Sequence, residues 1–406
     1  MTLAVLLGAG ASADAGLPTT FAMTDRIMEQ MWNPDHGRVL RFVHHILDAD
    51  AAMRGVDAVD VERLFAAVEL LIDRAEHPWS PFVSAWSPGL ESFADPRSRE
   101  WDIRRDLDQF ERELQALTPS EHSRSPLGRS ARDATDALGR AMVSILSREQ
   151  GQDVNRVLAD VREEMLRSLV AVLRIEDAAR VGYLEPLADV ARDQGVLTIA
   201  TLNYDRGIEE MAESAGVSCD TGIDTWLTRG ELDWPTHGLR LLKLHGSIDW
   251  VSYEVRGPRT LPMTEIRRAT FEVGGGDPAV VFGEAGKLRA EGPYIALLLA
   301  WAAQLDEADT LLVAGYSFRD QHVNETVARW FNADPRRRII LIDPVEPSQR
   351  DWDSFAGRLP FLNERFPNDP PDRRPRFRYL AGTTKERLPD AIRIARDPNK
   401  APSAQA

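Results

Sequence analysis

The sequence predicts an α/β protein, with a Rossmann-like parallel sheet covered by helices on both faces and interrupted by a large, mostly helical insertion. Three observations predict this class. An apolar run at residues 3–7 ends in a glycine-punctuated turn. From residue 196 onward, short apolar or β-branched runs alternate with helical stretches, as in a parallel sheet that is buried on both faces. Between these parts, residues 36–187 read as helices separated by loops.

The first strand and its turn are typical of a dinucleotide site. Gly8-Ala9-Gly10 follows the strand, and the missing Cβ atoms let the backbone approach a pyrophosphate while the next helix offers unpaired N–H groups. The spacing is not a strict G-x-G-x-x-G, because Ala13 holds the third glycine's place and Gly16 follows three residues later. A tight strand-to-helix turn without a ligand is the alternative.

The insertion carries two apolar stripes at helical spacing, and each predicts a helix that buries one face. The stripes comprise Val61, Leu64, Phe65, Val68 and Leu71, and then Val154, Val157, Val161, Met165, Leu169 and Val172. We therefore expect residues 1–35 and 188–390 to form the Rossmann-like domain and residues 36–187 the helical insertion. The polar end of the chain, residues 391–406, is expected to be a flexible tail.

Polar clusters follow several of the later strands. The candidate strands are residues 196–202, 239–244, 279–282, 310–314, 338–342 and 377–380. The clusters are Asn203-Tyr204-Asp205, His245-Gly246-Ser247, Gly315-Tyr316-Ser317 and Asp343. Ligands bind outside the carboxyl ends of the strands in open α/β sheets, so we expect these clusters to converge on one crevice.

Composition narrows the range of partners. The 406 residues carry a formal charge of -15, which disfavours direct nucleic-acid binding. Cys219 is the only cysteine, which excludes an intramolecular disulfide and a multi-cysteine zinc site. The longest apolar stretch, residues 294–305, is shorter than the roughly 20 residues of a membrane span, and the first residues lack the basic region of a secretory signal. We expect a cytoplasmic protein without a membrane partner.

Four motifs in order resemble those of a known family. They are Gly8-Ala9-Gly10-Ala11-Ser12, Thr201-Leu202-Asn203-Tyr204-Asp205, Lys243-Leu244-His245-Gly246-Ser247 and Gly315-Tyr316-Ser317-Phe318. Together they resemble the NAD-binding motifs of the sirtuins, the silent-information-regulator type, and most closely the zinc-free sirtuin-like NADases of bacterial antiphage defence. The likeness covers about the first 20 residues and residues 196–343, and it leaves the helical insertion outside.

The resemblance implies NAD+ as a substrate, no metal, and a role for each matching residue. The implied phosphate cradle consists of Gly8, Ala9, Gly10, Ala11, Ser12 and Gly16. Asn203 would hold the nicotinamide ribose and the attacking water, Asp205 would lie near them, and His245 would act as general base. On the adenosine side, the resemblance implies Gly315, Ser317 and Asp343, while Phe21 would cover the nicotinamide pocket.

Simple chemistry agrees with these roles. Cleavage of the bond to cationic nicotinamide passes through an oxocarbenium-like state that nearby negative charge stabilises, and a carboxylate such as Asp205 would supply it. A histidine such as His245 accepts a proton near neutrality, and the amide of Asn203 offers both a donor and an acceptor. The structural alternatives are that Asn203 and Asp205 cap the next helix, His245 and Asp343 end strands, and Ser317 is a turn residue.

Two departures from the family's deacylases set the expected reaction. Those enzymes carry a four-cysteine zinc module, which a chain with one cysteine lacks, and an Asp-Phe-Arg loop where this sequence has Thr19-Thr20-Phe21. We therefore expect an NAD+ glycohydrolase that releases nicotinamide and ADP-ribose and depletes NAD+ in abortive infection. The alternatives are a regulatory module that binds NAD or ADP-ribose without turnover, and an NAD-dependent protein deacylase.

The expected activity also implies restraint, because a constitutively active NADase would kill its host. We expect homo-oligomerisation through the helices, together with a separate phage-sensing partner. The resemblance suggests a hexameric DNA-translocase-type ATPase for that partner.

Overall fold

A computed structural model describes residues 2–54, 59–73, 154–255, 263–268, 278–280, 282, 292–344 and 376–397. The chain divides into two compact units, one formed by residues 1–23 and 169–406 and the other by residues 24–168. The second unit thus begins and ends earlier in the chain than the expected insertion at residues 36–187.

A seven-stranded parallel sheet organises the first unit. Its strands, in chain order, are β1 (Leu3–Leu7), β2 (Val196–Thr201), β3 (Cys219–Asp220), β4 (Gly238–Lys243), β8 (Thr310–Ala314), β9 (Arg338–Asp343) and β10 (Phe377–Ala381). Their spatial order is β10-β9-β8-β1-β2-β4-β3, with β1 in the middle. Strand order therefore reverses between β1 and β8, which is where open α/β sheets form their ligand crevice.

Helices cover both faces of this sheet. The α-helices described in the chain are α1 (Thr20–Gln30), α2 (Pro34–Arg54), α3 (Val61–Asp73), α4 (Val154–Leu173), α5 (Glu185–Gln194), α6 (Gly207–Ala215), α7 (Ile223–Arg229), α8 (Tyr294–Asp306), α9 (Gln321–Ala333) and α10 (Thr384–Arg396). Two 3-10 helices, η1 (Ala9–Ala15) and η2 (Ala178–Leu184), complete the set.

The core forms on either side of the sheet because successive side chains of a strand point to opposite faces. Val5 and Leu7 pack into a buried cluster with residues of α5, α6 and α10. Ala4 and Leu6 point the other way, into a cluster with residues of α8 and α9. The central strand β1 is buried along its whole length, as its uninterrupted apolar sequence predicts. The expected fold class, a parallel sheet between two helical layers, is confirmed.

One predicted strand belongs elsewhere. The run at residues 279–282 was expected in the parallel sheet, but β7 (Pro278–Val280) pairs with β5 (Gly246–Val255). The latter also pairs with β6 (Met263–Arg268), giving a separate antiparallel sheet of order β6-β5-β7. A short apolar run does not by itself specify its partner strand, so its sequence could not distinguish the two sheets.

The described part of the second unit is helical. The apolar stripes predicted for α3 and α4 are buried, with Leu64, Phe65, Val161 and Met165 all at 0% exposure. Polar contacts join two of these helices, because Glu164 of α4 faces the His36 ring of α2 at 2.6 Å.

The expected tail at residues 391–406 begins inside α10. Ala391, Ile392, Ile394 and Ala395 are buried in the first unit, and residues 398–406 lie outside the described part. Among the described helices, none is both long enough and apolar enough to span a bilayer.

Candidate active site

Five adjacent strands carry the predicted site residues at their carboxyl ends. Gly8 follows β1, Asn203 follows β2, His245 follows β4, Gly315 follows β8, and Asp343 ends β9. These strands are neighbours in the order β9-β8-β1-β2-β4. The structure therefore brings the polar clusters to one edge of the sheet, around the point where strand order reverses.

The glycine turn after β1 packs directly against the turn after β8. The Gly8 amide donates to Ala314 O at 3.0 Å, the Gly10 amide to Gly315 O at 2.9 Å, and the Ala11 amide to Gly8 O at 2.9 Å. A Cβ on Gly10 would lie 2.8 Å from the Gly315 Cα. These glycines thus allow two backbone segments to touch. In this conformation the chain itself uses three of the amides expected to cradle phosphates.

The helix after this turn is a 3-10 helix of seven residues. Gly16 ends it in the left-handed conformation, with φ 82°, and its amide donates to Ala13 O. The Tyr183 hydroxyl donates to Ala11 O at 2.6 Å. Burial, followed by the charges of Asp205 and Asp14, raises the pKa of Tyr183, so this hydroxyl keeps its proton and the hydrogen bond that holds the turn.

Ser12, Asn203 and Asp205 form one buried hydrogen-bond network, although 191 or more residues separate Ser12 from the other two. The Ser12 hydroxyl donates to Asp205 Oδ2 at 2.8 Å, since an ionised carboxylate only accepts. The Asn203 amide nitrogen donates to Ser12 Oγ at 3.0 Å and to Gly8 O at 2.9 Å. The direction of every hydrogen bond in the network is therefore determined.

This network leaves the side-chain oxygen of Asn203 facing no donor. Gly8 O can only accept, so the amide nitrogen must point at it and both of its hydrogens are engaged. Asn203 is 8% exposed, and among the described residues its Oδ1 has no hydrogen-bond partner. Asn203 was expected to offer a ligand a donor and an acceptor. In this conformation it offers an acceptor alone.

Asp205 serves the chain with both carboxylate oxygens. Oδ2 accepts from Ser12, and Oδ1 accepts from the Gly207 amide at 2.8 Å, at the start of α6. The capping alternative thus describes Asp205 well, while Asn203 makes no such contact with the helix. The contacts of Asp205 orient Ser12 and, through it, Asn203.

A buried ion pair lies beneath this loop, and the sequence analysis missed it. Lys243, at 0% exposure, donates to the backbone oxygen of Asp205 and to Glu209 Oε1, the latter at 3.0 Å. Burial raises the pKa of Glu209, and the charge of Lys243 acts in the opposite direction. A lysine closing an apolar strand was the available signal, because a buried ammonium requires a carboxylate or carbonyl partner.

His245 lies against a carboxylate that was not among the predicted site residues. Its Nε2 is 2.7 Å from Asp320 Oδ2, and both residues are 4% exposed. The ring of Tyr204 lies 6.3 Å from the ring of His245, so the loops after β2 and β4 are neighbours. An aspartate directly before α9 was recognisable as an N-cap, but nothing in its sequence position connected it with residue 245.

The remaining predicted residues lie around the turn after β8. Phe21 is half-buried beneath the guanidinium of Arg319, 4.6 Å from the ring centroid, so it reaches this turn. Ser317 is exposed. The backbone oxygen of Asp343 accepts from the Tyr379 hydroxyl and the Gly382 amide, which ties the end of β9 to β10.

Metal ligands are not grouped in the described ranges, where no three His, Cys, Asp or Glu side chains come together as a metal site would require.

Comparison with known proteins agrees with the four-motif pattern. Residues 197–358 match the family model described as a SIR2-like domain. This stretch of the chain is SIR2-like. It contains Asn203, His245 and Gly315, whereas the Gly8–Ser12 turn lies outside the matched range and joins the same edge through its contacts with Gly315. No curated protein matches the sequence.

Solved structures with a similar arrangement are distant in sequence. A mutant Sir2 homologue in complex with 2'-O-acetyl ADP ribose is 14% identical, with a TM-score of 0.40 over 99% of this chain and 95% of that chain. A Sir2 homolog–NAD complex is 14% identical, with a TM-score of 0.34 over 98% and 90%. Sir2Tm bound to a propionylated peptide is 10% identical, with a TM-score of 0.35 over 99% and 94%.

Proposed function

We propose that this protein hydrolyses NAD+ to nicotinamide and ADP-ribose. The observation that carries the proposal is the buried, oriented side-chain oxygen of Asn203, one strand away from His245 at the point where strand order reverses. A buried acceptor without a donor costs free energy, about 1–3 kcal/mol, unless a ligand completes it. A ribose hydroxyl or a water molecule is a donor of suitable size.

The reaction requires little from the protein beyond positioning and charge. The bond from ribose C1 to the nicotinamide nitrogen breaks, and its electron pair neutralises the nicotinamide ring, which leaves without a proton. A water molecule adds to the oxocarbenium-like carbon and loses one proton. In our proposal Asn203 Oδ1 accepts a hydrogen bond from the ribose or this water, and His245 takes the proton. The charges of Asp205 and Asp320 favour the cationic state electrostatically.

The SIR2-like match and the absence of cysteines other than Cys219 support hydrolysis over deacylation. A four-cysteine zinc module cannot be built from one cysteine. Water rather than an acylated lysine is then the acceptor of the ADP-ribosyl group in our proposal.

We also propose that the activity depletes NAD+ in the cytoplasm as an antiphage, abortive-infection response. A cell that carries such an enzyme has to restrain it, so we propose a homo-oligomer and a phage-sensing partner, for which a hexameric DNA-translocase-type ATPase is our first choice. Two exposed apolar side chains of the described helical unit, Trp32 at 71% and Leu70 at 63% exposure, are consistent with a surface that a protein partner covers.

Nicotinamide release, measured by liquid chromatography, tests the proposal. Wild-type protein should convert NAD+ without any acylated peptide, and Asn203→Ala and His245→Ala should each reduce the rate at least about 100-fold. The matched controls are Asn332→Ala and His237→Ala, which change exposed residues of the same types outside the site and should keep wild-type rates.

The other functions give different results. A deacylase would release nicotinamide only when an acylated lysine peptide is present. A regulatory module would bind NAD+ in calorimetry without releasing nicotinamide. Wild-type protein from phage-infected cells that leaves NAD+ intact would contradict the proposed hydrolysis.

A further inference from the structure

The contact between His245 and Asp320 joins two loops that are 75 residues apart in sequence. Nε2 of the ring and Oδ2 of the carboxylate are 2.7 Å apart, a typical distance for a charge-assisted hydrogen bond. Both side chains are almost completely buried. Water therefore competes little with this contact, and the ring has a defined neighbour at one of its two nitrogens.

The Asp320 carboxylate is itself held by the start of α9. Oδ1 accepts from the His322 amide at 2.9 Å and from the Val323 amide at 3.1 Å, which is the N-cap arrangement. Oδ2 is consequently directed at His245. The two oxygens divide the work, since one fixes the carboxylate to the helix and the other meets the ring.

The turn before α9 is locked in the conformation that this arrangement needs. The Tyr316 hydroxyl lies 3.1 Å from the backbone oxygen of Asp320 and 2.8 Å from Asn324 Oδ1. The Asn324 amide donates to Phe318 O at 2.6 Å, and Phe318 adopts a left-handed conformation with φ 56° that is uncommon for an aromatic residue. Side chains of the turn and of α9 thus hold Asp320 against His245.

We propose that Asp320 is a positioning residue that sets the tautomer of His245, an inference that rests on the proposed function. An ionised carboxylate only accepts, so the neutral ring must carry its proton on Nε2 and keep its lone pair on Nδ1. During hydrolysis, the proton lost by the attacking water passes to Nδ1. The resulting imidazolium is stabilised by the Asp320 carboxylate, and the proton then leaves to solvent.

Asp320→Asn separates positioning from simple helix capping. Asparagine is an equally good N-cap, and its Oδ1 must stay on the two α9 amides, so its nitrogen faces His245. Nε2 then has to accept, which moves the ring proton to Nδ1 and removes the base. We expect kcat for NAD+ hydrolysis to fall by about 100- to 10,000-fold while KM changes little, by analogy with the tautomer error that the same substitution causes in serine proteases.

Asp320→Ser is the matched variant, because serine caps the helix but is too short to reach the ring. It leaves the tautomer of His245 unspecified, so we expect a smaller loss of kcat than in Asp320→Asn. Thermal unfolding midpoints of both variants should stay near that of the wild type. If Asp320 only capped α9, both variants would keep wild-type kcat, and that result would overturn the inference.

Nitrogen NMR of protein labelled at histidine measures the tautomer without any assay of activity. His245→Gln identifies the His245 signals among the eight histidines. At pH 8, the wild type should show a protonated Nε2 and an unprotonated Nδ1, and Asp320→Asn should show the reverse. A wild-type ring protonated on Nδ1, or on both nitrogens, would overturn the inference. Loss of the proposed function would instead appear as intact NAD+ with the expected spectrum.

Discussion

Replacing Gly315 with alanine would separate the two turns that form the centre of the candidate site. Gly315 has φ 60°, and a Cβ built on it would lie 2.0 Å from Ala11 N and 2.3 Å from Gly10 C. Ordinary contact begins at 3.4 Å, so the two backbones would have to move apart by more than an ångström. Neither neighbour is the flexible end of a side chain, and the turn therefore has no inexpensive way to make room.

The expected cost has two parts. A left-handed alanine costs about 1–2 kcal/mol, and overpacking in a close-packed region costs about 1–3 kcal/mol. Gly315→Ala should thus reduce the free energy of unfolding by about 2–5 kcal/mol, a large part of the 5–15 kcal/mol that is typical of folded domains. Gly216→Ala is the matched control, since Gly216 has φ 65° and no atom within 4 Å of the added Cβ.

Urea unfolding followed by circular dichroism measures both variants. Gly216→Ala should lose only the conformational part, about 1–2 kcal/mol, and Gly315→Ala should lose clearly more. Equal losses would refute the close approach of the two turns. The same variant should also weaken NAD+ binding, because the Gly10 amide loses its position on Gly315 O.

Three further substitutions or reactions probe the network beneath the site. Ser12→Ala removes a hydrogen-bond partner from both Asn203 and Asp205, and it should cost about 1–3 kcal/mol in urea unfolding and lower the hydrolysis rate; unchanged stability and rate would count against the network. Lys243→Met leaves Glu209 buried without its ammonium partner and should cost about 3–5 kcal/mol, whereas adding Glu209→Gln should recover part of that loss, and a double variant no more stable than the single one would show that the pair is not coupled. Burial, assisted by the charge of Glu209, raises the pKa of the Cys219 thiol to about 12, so iodoacetamide at pH 8 should alkylate the folded chain roughly 1,000-fold more slowly than the urea-unfolded chain, and equal rates would contradict that shift.

Much of the sheet was predictable because buried parallel strands are continuous apolar runs. The central strand β1 and its neighbours β2, β4 and β8 all have this pattern, and their polar ends identified the edge that carries the site. The strand β7 was assigned to the wrong sheet because its three residues carry no information about their partner. Pairing depends on contacts that are distant in sequence.

The site was predictable as a set of residues but not as a set of contacts. Motif order placed Asn203 and His245 together, yet the roles of Ser12 and Asp205 as supports for Asn203 depend on hydrogen bonds across more than 190 residues. Asp320 was visible only as a helix cap. Its contact with His245 arises from the turn after β8, whose left-handed Phe318 has no sequence signal of its own.

Proton NMR of NAD+ incubated with the purified wild-type protein tests the central claim most directly. With no acylated peptide present, the account predicts equal amounts of nicotinamide and ADP-ribose appearing as NAD+ disappears, and no change in a parallel sample of Asn203→Ala. Intact NAD+ in the wild-type sample, including protein taken from phage-infected cells, would contradict the account. So would nicotinamide release that Asn203→Ala leaves unaltered.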